Sequence, residues 1–204
     1  MNLRFNEKPS KSDNSKTKLL IQLHGIGSNK DDLFSFANEL PAKFTVLSAQ
    51  APIPYFGGWA WYNLYPAANG FTSNNVEAKQ SLIEINKFID LAIEKYNAEE
   101  KVVLMGFSQG AILSLATAIN NPNKIEKVVA MSGYLNPDFL DQPILDLPFP
   151  ILATHGTEDA VIPIEKATSS YKDLPQQNFK FKSYPMPHGV SPDCLNDVIS
   201  FLSN

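Results

Sequence analysis

The chain has 204 residues, of which 44% are hydrophobic and 19% charged, and its formal net charge at pH 7 is −4. This length suits a single domain, and no apolar run approaches the roughly 20 residues that cross a bilayer, so stable membrane insertion is not expected. The lysines are scattered and form no basic patch, which argues against nucleic acid as a partner.

The N-terminal residues and the cysteine content indicate the cellular compartment of the protein. Residues 1–17 form a polar segment, with an edge strand expected around residues 3–5, and one domain is expected over residues 18–204. The polar segment lacks the apolar stretch of a secretory signal. The single cysteine, Cys194, excludes an internal disulfide and suits a reducing compartment, so we expect a cytoplasmic protein.

Short apolar runs alternate with helical stretches along the chain. Strands buried on both faces are predicted at residues 19–23, 44–47, 102–105, 128–131 and 151–154. A last strand at 179–184 alternates in polarity, as an edge strand does. Helical spacing of apolar residues is found at 75–96, 111–120, 163–174 and 192–202. The alternation predicts an α/β fold with a mostly parallel central sheet and helices on both faces.

A glycine-flanked serine stands between the third of these strands and the second helix. The segment Gly106-Phe107-Ser108-Gln109-Gly110 has the strand–turn–helix order of a nucleophile elbow, in which glycines let the turn pack closely against its neighbours. It predicts the α/β-hydrolase fold, with a minimal lid and Ser108 as the nucleophile. The alternative is a structural turn whose serine only caps the helix.

A serine nucleophile needs a base, and in this fold the partners follow the serine in the order acid, then histidine. His24 precedes Ser108, and His155 ends a predicted strand before any suitable acid. His188 satisfies the order, and it lies in a loop stiffened by two prolines and a glycine. We therefore predict His188 as the base, against the alternative of an exposed loop histidine.

Two adjacent carboxylates compete for the role of the acid that orients the base. Glu158 and Asp159 both follow the predicted strand 151–154, which places either one at the correct edge of the sheet. The sequence alone does not separate neighbours in one loop, and either could be a solvated surface group. Because no His, Asp or Glu cluster has the spacing of metal ligands, neither a metal nor another cofactor is expected.

Hydrolysis of an acyl group also needs two N–H donors for the negatively charged oxygen that forms on the substrate. The residue after the nucleophile, Gln109, supplies the first backbone N–H. The second is expected from the glycine-containing loop after the first buried strand, with Ile26 as the donor. His24, in the same loop, is expected to be a structural histidine bonded to nearby backbone.

Seven aromatic residues crowd into one segment between the second buried strand and the long helix, where no regular element is expected. They either line an apolar acyl pocket or pack as a satellite cluster beneath the loop. The pocket interpretation gives the substrate-binding residues Trp59, Trp61 and Tyr62, with Tyr134 and Leu135 on the facing wall. An exposed apolar rim there would suit a homodimer or a lipid surface.

Several motifs together make the sequence resemble the small carboxylesterase family that includes acyl-protein thioesterases and lysophospholipases. They are Leu23 to Gly27, Ala49-Gln50-Ala51-Pro52, the tryptophan-bearing loop, Gly106 to Gly110, Met131-Ser132-Gly133, and His155-Gly156 with Asp159 and Pro163. The resemblance implies that Asp159 is the acid. It also implies His188 as the base and the backbone N–H groups of Ile26 and Gln109 as oxyanion donors.

The leading expectation is a serine hydrolase that cleaves small carboxylic esters of short or medium acyl chains through an acyl-enzyme intermediate. A second expectation is an acyl thioesterase or lysophospholipase that uses the same three residues. A protein of another class, which binds an acyl ligand without turning it over, is the third alternative, because a fold does not fix a function.

Overall fold

The computed structural model describes residues 1–12, 15–67, 70–144 and 146–204. Its strands are β1 Phe5–Lys8, β2 Lys18–Leu23, β3 Phe44–Ala49, β4 Ile53–Tyr55, β5 Gly58–Ala60, β6 Leu64–Ala67, β7 Gly70–Ser73, β8 Val102–Phe107, β9 Ile125–Met131, β10 Ile151–Gly156 and β11 Phe179–Tyr184. The helices are α1 Asn75–Lys95, α2 Gln109–Asn120, α3 Ile164–Ser170 and α4 Pro192–Ser203, with single-turn helices at Leu33–Phe36, Pro122–Lys124 and Pro137–Phe139. Within these ranges, no helix is both long and apolar enough to span a membrane.

Seven strands form the central sheet, in the order β1-β3-β2-β8-β9-β10-β11. Every neighbouring pair is parallel except β1 and β3, which run antiparallel with Phe5 opposite Ala49. The predicted mostly parallel α/β sheet is therefore confirmed. Strand β11, with its alternating polarity, forms one edge as expected.

Helices cover both faces of the sheet, and the central strands are largely apolar for this reason. In β2, Leu19 and Ile21 belong to the same buried cluster as Phe88 of α1. The intervening Leu20 belongs to the cluster on the other face, with Val198 of α4. Burial on both faces removes the polar alternation that marks a half-exposed strand.

The N-terminal segment contributes the other edge of the sheet through β1. This strand begins at Phe5, two residues later than the strand expected around residues 3–5. The Phe5 ring packs edge-on against Phe88, with ring centroids 5.5 Å apart, and the Tyr96 hydroxyl donates to Glu7. Residues 13 and 14 of the polar segment lie outside the described residues.

The expectation that the aromatic segment contains no regular structure is wrong. Strands β4 and β5 form one hairpin, and β6 and β7 form a second. The first hairpin turns at Phe56 and Gly57, both with positive φ, at 42° and 85°. Turns of this kind are usually marked by Asn-Gly or Asp-Gly, so an aromatic residue in the first position conceals the hairpin in the sequence.

Close backbone packing explains the glycines of the elbow. A Cβ at Gly110 would overlap the Leu23 carbonyl oxygen at the end of β2, and a Cβ at Gly106 would overlap the Gly110 carbonyl oxygen. These contacts place the start of α2 directly against β2.

We predict that Gly110→Ala severely lowers the thermal unfolding temperature or prevents soluble expression, because rigid backbone atoms cannot move aside for the new methyl group. Gly189→Ala is the matched control, since a Cβ there would meet nothing within 4 Å among the described residues. Its stability should equal or slightly exceed that of the wild type. Equal melting temperatures for the two variants would contradict the packing described for the elbow.

Candidate active site

The candidate site lies at the carboxyl ends of the parallel strands. Ser108 directly follows β8, Asp159 follows β10, and His188 follows β11. The loop with Ile26 follows β2, which lies beside β8 at the centre of the sheet. From β2 the chain continues to β3 on one side, and from β8 it continues to β9 on the other side. Ligands of open α/β sheets bind in the crevice where the strand order reverses in this way.

Ser108 occupies a strained turn and its hydroxyl faces a histidine. Its φ of 52° and ψ of −116° are unusual for a residue with a side chain. Although Ser108 is the residue that precedes α2, its side chain makes no capping hydrogen bond to the helix. Its Oγ instead lies 2.9 Å from Nε2 of His188. The arrangement is that of a nucleophile elbow and differs from a helix-capping serine.

Asp159 is joined to the other side of the same imidazole. His188 Nδ1 lies 2.7 Å from Asp159 Oδ2. The second carboxylate oxygen, Oδ1, accepts hydrogen bonds from the backbone N–H groups of Val161 (2.9 Å) and Ile162 (2.8 Å). Asp159 is buried, whereas the neighbouring Glu158 is exposed. Only one of the two adjacent carboxylates therefore meets the histidine.

The loop that carries His188 is held from several sides. The Glu158 N–H donates to the Met186 carbonyl oxygen at 3.2 Å, which ties this loop to the acid loop. The Ser132 hydroxyl donates to the Gly189 carbonyl oxygen at 3.3 Å. The Phe107 ring packs against the His188 imidazole, with centroids 4.9 Å apart. These contacts fix a side chain that retains only 16% of its exposure.

The two predicted oxyanion donors belong to loops that are packed together. A Cβ at Gly25 would lie 3.3 Å from the Ser108 Cβ, so the Ile26 loop passes directly beside the serine. The Gln109 side chain is buried and bridges to the aromatic segment. Its Oε1 accepts from the Trp61 N–H at 2.8 Å, and its Nε2 donates to the Tyr62 carbonyl oxygen at 2.7 Å.

His24 is fully buried at the start of the loop that carries Ile26, and its contacts are those expected of a structural histidine. Its Nε2 accepts from the Ala51 N–H at 3.1 Å, and its Nδ1 lies 2.7 Å from the Gly25 carbonyl oxygen, to which it donates. The Trp61 indole donates to the His24 carbonyl oxygen at 2.9 Å. Burial lowers the pKa of His24, although the Gly25 acceptor opposes this shift.

The structure divides the predicted substrate-binding residues into two groups. Trp59 and Tyr134 are partly exposed at the edge of the large core cluster. Trp61, Tyr62 and Leu135 are buried inside that cluster, with at most 4% exposure. These three side chains therefore present almost no surface to solvent in this structure, and their contact with substrate stays a prediction. Their side chains pack in the same core cluster as residues of α1 and α2.

Sequence reasoning missed two residues that contact the site. Ser132 has a φ of 50°, and its hydroxyl is bonded to the loop that carries His188. In the sequence, only the Ser-Gly pair after β9 indicated an unusual turn there. His155 lies with its Nε2 3.3 Å from Asp159 Oδ2. In the sequence, the only indication of this contact is that His155 lies four residues before Asp159. Across the described ranges, no three His, Cys, Asp or Glu side chains are grouped to hold a metal ion.

A serine, an imidazole and a carboxylate, bonded in series above a mostly parallel sheet, define an α/β-hydrolase. A sequence model of the phospholipase/carboxylesterase family matches residues 7–204. The chain belongs to this family, and it is a hydrolase of the esterase or thioesterase type.

Individual relatives agree with this membership. The chain is 32% identical over 215 aligned positions to acyl-protein thioesterase 1 of Kluyveromyces lactis, which covers 95% of this chain and 94% of the relative. Among solved structures, esterase PE8 superposes with a TM-score of 0.86 at 22% identity and covers 100% of this chain and 99% of its own. The Bacillus cereus carboxylesterase has a TM-score of 0.81 at 20% identity, with 98% and 93% covered. These two structures share the fold.

We predict that Asp159→Asn lowers kcat by about 10³- to 10⁴-fold, because the amide cannot stabilise the imidazolium that forms during catalysis. Glu158→Gln is the matched control, and its kcat should stay within about twofold of the wild type because its side chain is exposed. Steady-state kinetics on a chromogenic ester would measure both. A larger loss in Glu158→Gln than in Asp159→Asn would reverse the assignment of the acid.

The buried His24 should make stability depend on pH. Because its folded-state pKa lies below the ordinary value of 6.5, the unfolded chain binds a proton that the folded protein resists, and stability falls as the pH drops below 6.5. Urea unfolding between pH 5 and pH 8 should show this loss in the wild type and a smaller loss in His24→Gln. Parallel stability curves would show that His24 does not contribute.

Proposed function

We propose that the protein hydrolyses carboxylic esters of short or medium acyl chains, with Ser108 as the nucleophile. The observation that carries the proposal is the bonded series from Ser108 Oγ to His188 (2.9 Å) and from His188 to Asp159 (2.7 Å). A serine hydroxyl is a weak nucleophile until an adjacent base accepts its proton. A histidine at hydrogen-bonding distance from the hydroxyl, with a buried carboxylate on its other side, supports the proposal.

The reaction follows from these positions. His188 Nε2 takes the hydroxyl proton as Ser108 Oγ bonds to the acyl carbon, and the carbonyl electrons move to the oxygen. The backbone N–H groups of Ile26 and Gln109 stabilise that oxyanion. The intermediate collapses, the ester C–O bond breaks, and His188 gives its proton to the departing alcohol. A water molecule then bonds to the acyl carbon as His188 takes its proton. The bond between the acyl carbon and Ser108 Oγ breaks, His188 returns the proton to Oγ, and the carboxylic acid leaves.

The packing of the aromatic residues supports the choice of short or medium chains. Trp61 and Tyr62 are buried in the core, and their backbone groups are bonded to the Gln109 side chain, so their rings offer almost no exposed surface to a long acyl chain. Trp59 and Tyr134 keep partly exposed apolar surface. We propose these two as the residues that contact the acyl group.

A second candidate is the hydrolysis of acyl thioesters or lysophospholipids by the same three residues. It is favoured by the relative from Kluyveromyces lactis, which is named an acyl-protein thioesterase, and by the phospholipases in the family description. A protein that only binds acyl ligands is disfavoured, because a binder has no need of a serine hydroxyl held 2.9 Å from a histidine.

We predict that the wild type hydrolyses p-nitrophenyl esters and that Ser108→Ala lowers kcat by about 10⁴-fold or more, because the acyl-enzyme cannot form. The substrates would run from acetate to laurate, with acyl thioesters tested in parallel. Ser114→Ala is the matched control, since this α2 hydroxyl is buried and has no hydrogen-bond partner among the described residues.

Serine-dependent turnover that peaks on short or medium esters would support the proposal. A peak on long chains or on thioesters would favour the second candidate. Turnover that survives in Ser108→Ala would remove Ser108 as the nucleophile. If the folded wild type hydrolysed none of these substrates but bound them, the non-catalytic binder would replace both enzyme proposals.

A further inference from the structure

A second histidine lies beside the proposed catalytic acid and approaches the same carboxylate oxygen, Oδ2, as His188 does. His155 is the fifth residue of β10 and is fully buried. Its Nε2 lies 2.7 Å from the Ile162 carbonyl oxygen and 3.3 Å from Asp159 Oδ2. Its other nitrogen, Nδ1, is also buried and has no hydrogen-bond partner among the described residues.

These contacts fix the position of the proton on His155. A carbonyl oxygen and an ionised carboxylate can only accept hydrogen bonds, so Nε2 must carry the hydrogen. A proton on Nδ1 would find no acceptor in the described surroundings. The ring therefore carries a hydrogen on Nε2, which donates to the Ile162 carbonyl oxygen and lies close to the carboxylate.

Ile162 links His155 to the acid. Its carbonyl oxygen accepts from His155, and its N–H donates to Asp159 Oδ1 at 2.8 Å. The 159–162 turn is thus bonded to the end of β10 by the imidazole and to the carboxylate by its own backbone. If the imidazole bond were lost, the turn and the carboxylate would both gain freedom to rotate.

We infer that His155 is a positioning residue for the acid. Its Nε2 anchors the 159–162 turn to β10 through the Ile162 carbonyl oxygen and lies 3.3 Å from Oδ2, so that Asp159 stays aligned with His188. The inference rests on the proposed function of the Ser108 site. His155 acts through Asp159 and touches neither the substrate nor the serine.

Three substitutions test this role. His155→Leu keeps the bulk and removes the donor, so kcat should fall by about 10- to 100-fold, the equivalent of one hydrogen bond near a charged group. KM should change less than about twofold, because uniform substrate binding is not involved. His155→Gln can place an amide N–H near the position of Nε2 and should restore kcat to within about threefold of the wild type. His155→Asn is too short to reach and should resemble His155→Leu.

Circular dichroism and thermal unfolding would first establish that each variant is folded like the wild type, and only folded variants would enter the kinetic comparison. A folded His155→Leu with wild-type kcat, or a folded His155→Gln as slow as His155→Leu, would overturn the inference. The proposed function fails separately, if the wild type itself shows no turnover that depends on Ser108.

A measurement on the wild type keeps the test independent of variant folding. Nitrogen-15 NMR of histidine-labelled protein reports which ring nitrogen carries the hydrogen. The expected result is an Nε2–H tautomer for His155, with resonances that move in Asp159→Asn. An Nδ1–H tautomer would contradict the contact geometry and overturn the inference.

Discussion

The contact between the backbone at Gly110 and the Leu23 carbonyl oxygen is the constraint on which the site depends. It brings the first turn of α2 against the end of β2, so the serine and the oxyanion loop come from neighbouring strands with no side chain between them. A larger residue at Gly110 would meet backbone atoms at the end of β2. Side-chain movements could not relieve this overlap, so α2 and β2 would have to move apart. The positions of Ser108 and of the two proposed N–H donors, Ile26 and Gln109, therefore all depend on this one packing contact.

Buried polar groups then fix what the close packing brings together. Gln109, Trp61 and His24 form a continuous path of hydrogen bonds from the start of α2 to the oxyanion loop. Buried polar groups are costly unless they are paired, so each bond in the path restricts the conformations that the loops can adopt. Asp159, the proposed acid, is held in a similar way, because it accepts two hydrogen bonds from its own turn and lies beside the imidazoles of His188 and His155.

Much of this arrangement could be predicted from the sequence, and the failures have physical causes. The central strands could be predicted because burial on both faces makes them short apolar runs. The elbow could be predicted because its glycines flank Ser108 between a strand and a helix. Glu158 and Asp159 could not be separated, because they differ only in the direction in which a loop turns them. The burial of Trp61 and Tyr62 could not be predicted, since an aromatic residue in a loop can point into the core as readily as into a pocket.

The two hairpins differ from the rest of the chain in how they are attached. Strands β6 and β7 pair only with each other within the described residues, and the first hairpin adds one bridge, from Trp59 to Ser28. Neither hairpin shares a ladder with the seven-stranded sheet. Insertions or deletions at their tips would leave the register of the sheet unchanged. The segment beside the nucleophile can thus vary in length during evolution while the reacting groups keep their spacing.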